Sequence, residues 1–158
     1  MGSERPPTPS QTVGPFFGFA LPFKGDSVVS SGEVRIEGQL LDGAGEPISD
    51  GLLEAWHGKL FARCGTDAEG VFHFSLPRPE PRPGEAPHFN LIVHARGLLR
   101  HLVTRVYFPD QEAANAADPV LRKVASERRP TLIARREGEV LRFDVRLQGE
   151  GETVFFEA

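Results

Sequence analysis

An all-β fold, an antiparallel β-sandwich entered through an irregular N-terminal arm, is what the sequence predicts. Apolar and polar residues alternate with period two in short stretches, turn residues separate the stretches, and helical periodicity is confined to one place. A doubly wound fold needs a helix between successive strands, and none is written here. The 158 residues suit one domain at 1–158, with an arm at 1–32 and a prealbumin- or immunoglobulin-like sandwich at 33–158. Glycine and proline make up about a fifth of the chain, short of the roughly 25–30% that marks low-complexity polymers.

In the arm, Pro6, Pro7, Pro9, Pro15 and Pro22 each fix φ and remove a donor, so neither helix nor central strand is expected. Phe16, Phe17, Phe19, Leu21 and Phe23 nevertheless give the arm an apolar surface that needs burial, on its own domain or on a partner. Beyond it, Val34, Ile36, Gly38 and Leu40 alternate with Arg35, Glu37 and Gln39, and Asp42-Gly43-Ala44-Gly45 supplies a turn. Further strands read at 52–57, 71–76, 89–95 and 102–108. Residues 141–147 give the cleanest alternation, 153–156 close the chain, and 132–135 offer one more strand. Residues 77–87 hold five prolines and predict a loop. The helical candidate, 111–125, is rich in alanine and split by Pro119.

Composition excludes several functions. A net charge of −4 with scattered arginines makes no case for nucleic acid. No apolar run approaches the roughly 18 residues of a membrane span. The polar, proline-rich start predicts no secretory leader. A single cysteine, Cys64, precludes an internal disulfide and makes a reducing cytoplasm the expected setting.

The residues alone do not assemble a catalytic set. Gly149-Glu150-Gly151 precedes a strand rather than a helix, so no phosphate loop is predicted. No nucleophile elbow exists, and Cys64 has Arg63 beside it but no evident base. Of the five histidines, His57, His73, His88, His94 and His101, His57 and His73 stand alone in sequence. His88 and His94 share a strand face but lie roughly 20 Å apart, too far for one ion. His88 and Asn90 have a chelating spacing, yet asparagine is a poor transition-metal ligand. Surface or hydrogen-bonded core roles are expected for these histidines, and no intrachain metal site is predicted.

A set of strings, in order along nearly the whole chain, adds a different kind of information. They are Thr8-Pro-Ser-Gln-Thr-Val-Gly-Pro15, Leu53-Glu-Ala-Trp56, Ala86-Pro-His-Phe-Asn90, Ala95-Arg-Gly97, Thr104-Arg-Val-Tyr-Phe108, Thr131-Leu-Ile-Ala-Arg135 and Gln148-Gly-Glu-Gly-Glu-Thr-Val-Phe-Phe156. This pattern resembles the alpha-chain family of protocatechuate-cleaving intradiol dioxygenases, which open a catechol ring with non-haem iron(III). Chains of that family are longer, and this one looks shortened at 23–33, 56–65 and 77–87.

The resemblance implies a hetero-oligomer of alpha–beta pairs in which two tyrosines and two histidines of the beta chain hold Fe(III). This chain has one tyrosine, Tyr107, and its match to the ligand pair His-x-His is His88-Phe89-Asn90. The resemblance therefore makes His88 and Asn90 a vestigial site, and no catalytic or metal-ligating residue is expected in this chain. It further implies that Thr12, Gly14, Pro15 and Phe16 line the partner's substrate pocket, and that Arg96 reaches toward it. A guanidinium there would suit the carboxylate of protocatechuate, the aromatic substrate cleaved with O2. The rival expectations are a non-enzymatic interaction module on the same sandwich and a self-sufficient homomeric enzyme.

Overall fold

The computed structural model describes residues 7–29 and 31–157; Pro6 and the residues before it lie outside that range. Among the described residues, nine strands form two sheets. β1 (Val34–Leu41), β4 (Val71–Leu76), β7 (Arg135–Glu137) and β8 (Val140–Arg142) make one sheet in the order β4-β1-β8-β7, and β9 (Val145–Arg146) also pairs with β1. β2 (Leu52–His57), β3 (Leu60–Gly65), β5 (His88–His94) and β6 (Leu102–Tyr107) make the other, in the order β3-β2-β5-β6. The inward residues that alternation predicts in one sheet, Ile36, Leu40, Phe72 and Phe74, meet Leu53, Ala55, Phe89, Leu91, Val93 and Val106 of the other. Among the described residues, no helix is long and apolar enough to cross a membrane.

Several expectations are corrected. Residues 60–65 form β3, a strand the sequence reading passed over. The stretch 141–147 is two strands rather than one, and both run parallel to β1. The break has a cause. Phe143 N–H bonds to the Glu37 carbonyl, but the Asp144 carboxylate accepts the Gln39 N–H at 3.0 Å, so a side chain replaces a rung of the backbone ladder. Residues 153–156 contribute one bridge, Val103 to Phe156, and no strand. A one-turn 3-10 helix (Arg129–Leu132) precedes β7 where an earlier strand was expected. Pro119 does split the helical candidate, into α2 (Glu112–Ala117) and a 3-10 turn (Leu121–Lys123).

The arm also holds one helical turn, α1 (Phe17–Ala20), in the proline-free interval between Pro15 and Pro22. Phe17 is buried, whereas Phe16, Phe19 and Phe23 are about two-thirds or more exposed, at 67%, 72% and 71%. After α1 the arm stitches the sandwich's corner. Arg63 N–H of β3 bonds to the Asp26 carbonyl, and Ser75 N–H of β4 to the Ser27 carbonyl, so two sheet edges are capped by one segment.

Gly38 illustrates how tightly β1 and the C-terminal segment fit. A Cβ at this position would stand 1.8 Å from the Phe143 carbonyl oxygen. Gly38→Ala is expected to cost about 1–3 kcal/mol through forced backbone displacement, read as a lowered urea midpoint. An unchanged midpoint would show that the two strands can separate freely.

Candidate functional site

The residues singled out by sequence occupy the two ends of β5. His88, at its start, lies opposite Tyr107 of β6, with ring centroids 5.2 Å apart. Its Nδ1–H donates to the Ala86 carbonyl at 2.8 Å, and its Nε2 is 3.9 Å from the Glu85 carboxylate. Burial pushes the imidazole below the ordinary histidine range; the Ala86 carbonyl opposes this and Arg105 adds to it. His57 Nδ1–H donates to the His88 carbonyl at 2.9 Å, a contact between histidines that stand far apart in sequence. Asn90 lies on the same face, paired with Trp56 of β2 and Arg105 of β6.

Tyr107 is fully buried, and its hydroxyl is already committed. It donates to Asp118 at 3.1 Å and accepts from Arg105 at 3.2 Å. Burial pushes the phenol up to about 12, with Asp118 adding to the shift and Arg105 opposing it. Asp118 in turn accepts the backbone N–H groups of Ala86, Val120 and Leu121. Ferric iron favours anionic oxygen and imidazole donors in a converging set. Here the candidate set is one imidazole, one amide and one protonated, hydrogen-bonded phenol, which supplies no anionic oxygen donor, so these residues do not fit ferric iron. Among the described residues, no group of three or more histidine, cysteine, aspartate or glutamate side chains gathers as a metal site.

The far end of β5 carries the other group. The hydroxyl of Thr12 accepts the Gly97 N–H at 3.0 Å, which fixes the arm against the turn that bears Arg96. Arg96 is exposed, with 69% of its side chain accessible, and its guanidinium pairs with Asp50. Gly14, Pro15 and Phe16 are exposed on the same arm. The structure thus brings Thr12 to Arg96 but leaves both beyond the opposite end of β5 from His88, a strand roughly 20 Å long. It also sets His94 beside His101, with ring centroids 5.7 Å apart, a proximity that the six intervening residues concealed. Burial lowers the His94 imidazole below the ordinary range, His101 and Arg63 add to this, and Glu54 opposes it.

Comparison with known proteins gives these positions a family. No protein-family model matches the chain. The protocatechuate 3,4-dioxygenase alpha chain of Burkholderia cepacia is 40% identical over 190 aligned positions, covering 95% of this chain and 96% of the relative. The alpha chain of Pseudomonas putida is 37% identical, covering 96% of each. The beta chain of Burkholderia cepacia is 28% identical over 76% of this chain. Among solved structures, the dioxygenase domain of a dioxygenase–carbohydrate-binding fusion from Streptomyces sp. SirexAA-E superposes with a TM-score of 0.62, covering 90% of this chain and 99% of that domain at 22% identity. Hydroxyquinol 1,2-dioxygenase from Pseudomonas putida DLL-E4 superposes at 0.60, covering 78% of this chain and 59% of that one at 17% identity; both likenesses speak to the fold alone. By sequence, the chain belongs to the protocatechuate 3,4-dioxygenase alpha-chain family.

Proposed function

We propose that this chain is the subunit of a heteromeric intradiol dioxygenase that binds no iron, and that it completes the substrate pocket of a beta chain. The observation that carries this reading is Tyr107: it is the chain's one tyrosine, and Asp118 and Arg105 already hold its hydroxyl. Asn90, in the place of the second histidine, points the same way. Fe(III) on the beta chain supplies activation of the bound diol toward O2. The overall reaction converts protocatechuate and O2 to 3-carboxy-cis,cis-muconate, the ring opening between the two hydroxyl-bearing carbons. A cytoplasmic setting suits the lone, buried Cys64, whose thiol burial pushes up.

In this reading Thr12, Gly14, Pro15, Phe16 and Arg96 face the partner's pocket. Gly14 supports it by having no reason to be glycine within this chain. Its φ is not positive, and nothing stands within 4 Å of where its side chain would be. The exposed Phe16 and Phe19, stacked edge to face at 5.3 Å, add an apolar surface of the kind a stable partner covers.

Purification with and without a coexpressed beta chain tests the proposal through iron analysis and a protocatechuate assay. The chain alone is expected to self-associate, hold no ferric iron and turn over no substrate; the complex is expected to hold iron and cleave protocatechuate. Stoichiometric iron in the isolated chain, with the purple-red colour of phenolate-to-iron charge transfer, would overturn the reading. A beta chain equally active without this one would leave an interaction module in its place.

A further inference from the structure

We propose that His94 and His101 form a two-imidazole site for a divalent transition-metal ion, Zn(II) or Cu(II), separate from the iron chemistry of the family. The argument starts from register. β5 and β6 pair antiparallel with Val93 opposite Leu102, so the next position outward places His94 opposite His101. Directly opposed residues of an antiparallel pair project to one face with Cβ atoms roughly 4.5–5.5 Å apart. The rings accordingly lie 5.7 Å apart, centroid to centroid, inclined by 43°.

An ion bound by two imidazoles at about 2.0–2.1 Å from each nitrogen holds the rings at close to this separation. His101 is exposed, so its ring is free to turn toward an ion shared with His94. Both rings line an open cavity of about 220 Å³ that Gln11 and Val13 of the arm and the exposed Arg100 also border. That volume leaves room for the water or external ligands that complete a tetrahedral or tetragonal shell. Imidazole suits zinc and copper, with copper bound the more tightly. No carboxylate lines the cavity, so a hard ion such as magnesium or calcium finds no oxygen ligand of the kind it prefers.

Equilibrium dialysis of the full chain, or of its assembled complex, against Zn(II) with metal analysis tests the site. One zinc per chain is expected for the wild type and for His73→Ala, and loss of that equivalent for His94→Ala and for His101→Ala. His101 is exposed, so its variant keeps the fold, which circular dichroism checks. With Cu(II), the electron paramagnetic resonance spectrum is expected to carry hyperfine structure from two imidazole nitrogens, lost in the same two variants. Zinc retained by both His94→Ala and His101→Ala, or no stoichiometric zinc in the wild type, would overturn the proposal.

Discussion

Asp118→Ala is expected to lower the unfolding free energy by about 3–5 kcal/mol, a large part of the roughly 5–15 kcal/mol that holds an ordinary domain together. The carboxylate is 1% exposed and accepts four hydrogen bonds: from the backbone of Ala86, Val120 and Leu121, and from Tyr107. It ties the start of β5, the end of β6 and the turn after α2 to one another. Alanine would leave those donors buried without an acceptor. Urea unfolding measures the loss, with a lowered midpoint at unchanged slope. A loss below about 1 kcal/mol would mean that water replaces the carboxylate.

The same group gives the stability a pH dependence of known sign. Burial alone would raise the Asp118 carboxyl, but the bonds from Leu121, Ala86 and Val120, with that from Tyr107, outweigh it and hold the group below the usual carboxylate range. A depressed value in the folded state means stability that is fully present above the unfolded value of about 3.9 and is lost as pH falls through the folded one. Wild type and Asp118→Asn are therefore expected to differ most near neutrality and to converge in acid.

Arg96→Ala, in the assembled enzyme, is expected to reduce kcat/KM for protocatechuate about ten- to a hundredfold while iron content stays full. A charge-assisted contact to the substrate carboxylate is worth roughly 1.5–3 kcal/mol when fully made, and its loss falls mainly on KM. Catechol lacks the carboxylate and should lose far less, so the ratio of the two losses is the diagnostic. Asp50 enters this prediction because it holds the guanidinium in the structure described above. Asp50→Asn frees Arg96 and is expected to leave KM for protocatechuate equal or lower. Equal losses for both substrates would assign Arg96 to packing, and no loss would remove it from the pocket.

The sequence was legible wherever a strand has one buried and one open face. Ile36, Leu40, Phe72, Phe74 and Leu76 all point where their alternation says. β3 escaped notice because Phe61, on its outer face, is apolar and packs beside Trp56, while Arg63 on that face bonds to the arm at the Leu21 carbonyl, so no clean polar face marks the strand. The break at Phe143 and Asp144 was invisible for another reason: a carboxylate imitating a carbonyl leaves the alternation of Leu141, Phe143 and Val145 intact. For the site, residue types were informative and proximities were not. One tyrosine can be counted from a sequence, but Thr12 meeting Gly97, His57 meeting His88 and His94 facing His101 all depend on strand register and on where the arm lies.

The parallel pairing of β1 with β8 and β9 fixes an order of events during synthesis. β1 and β4 are near in sequence and can meet early. The other side of β1 waits for residues at the far end, and the bond from Gln39 to Asp144 spans 105 positions. Closing a connection of that length costs entropy that only the finished contacts repay. Until β8 and β9 leave the ribosome, the nascent chain therefore carries an open, hydrogen-bonding edge on β1, together with the apolar arm that precedes it. A stop codon anywhere before Val140 would leave that edge of β1 open and adhesive, so protection of the sheet turns on β8 and β9.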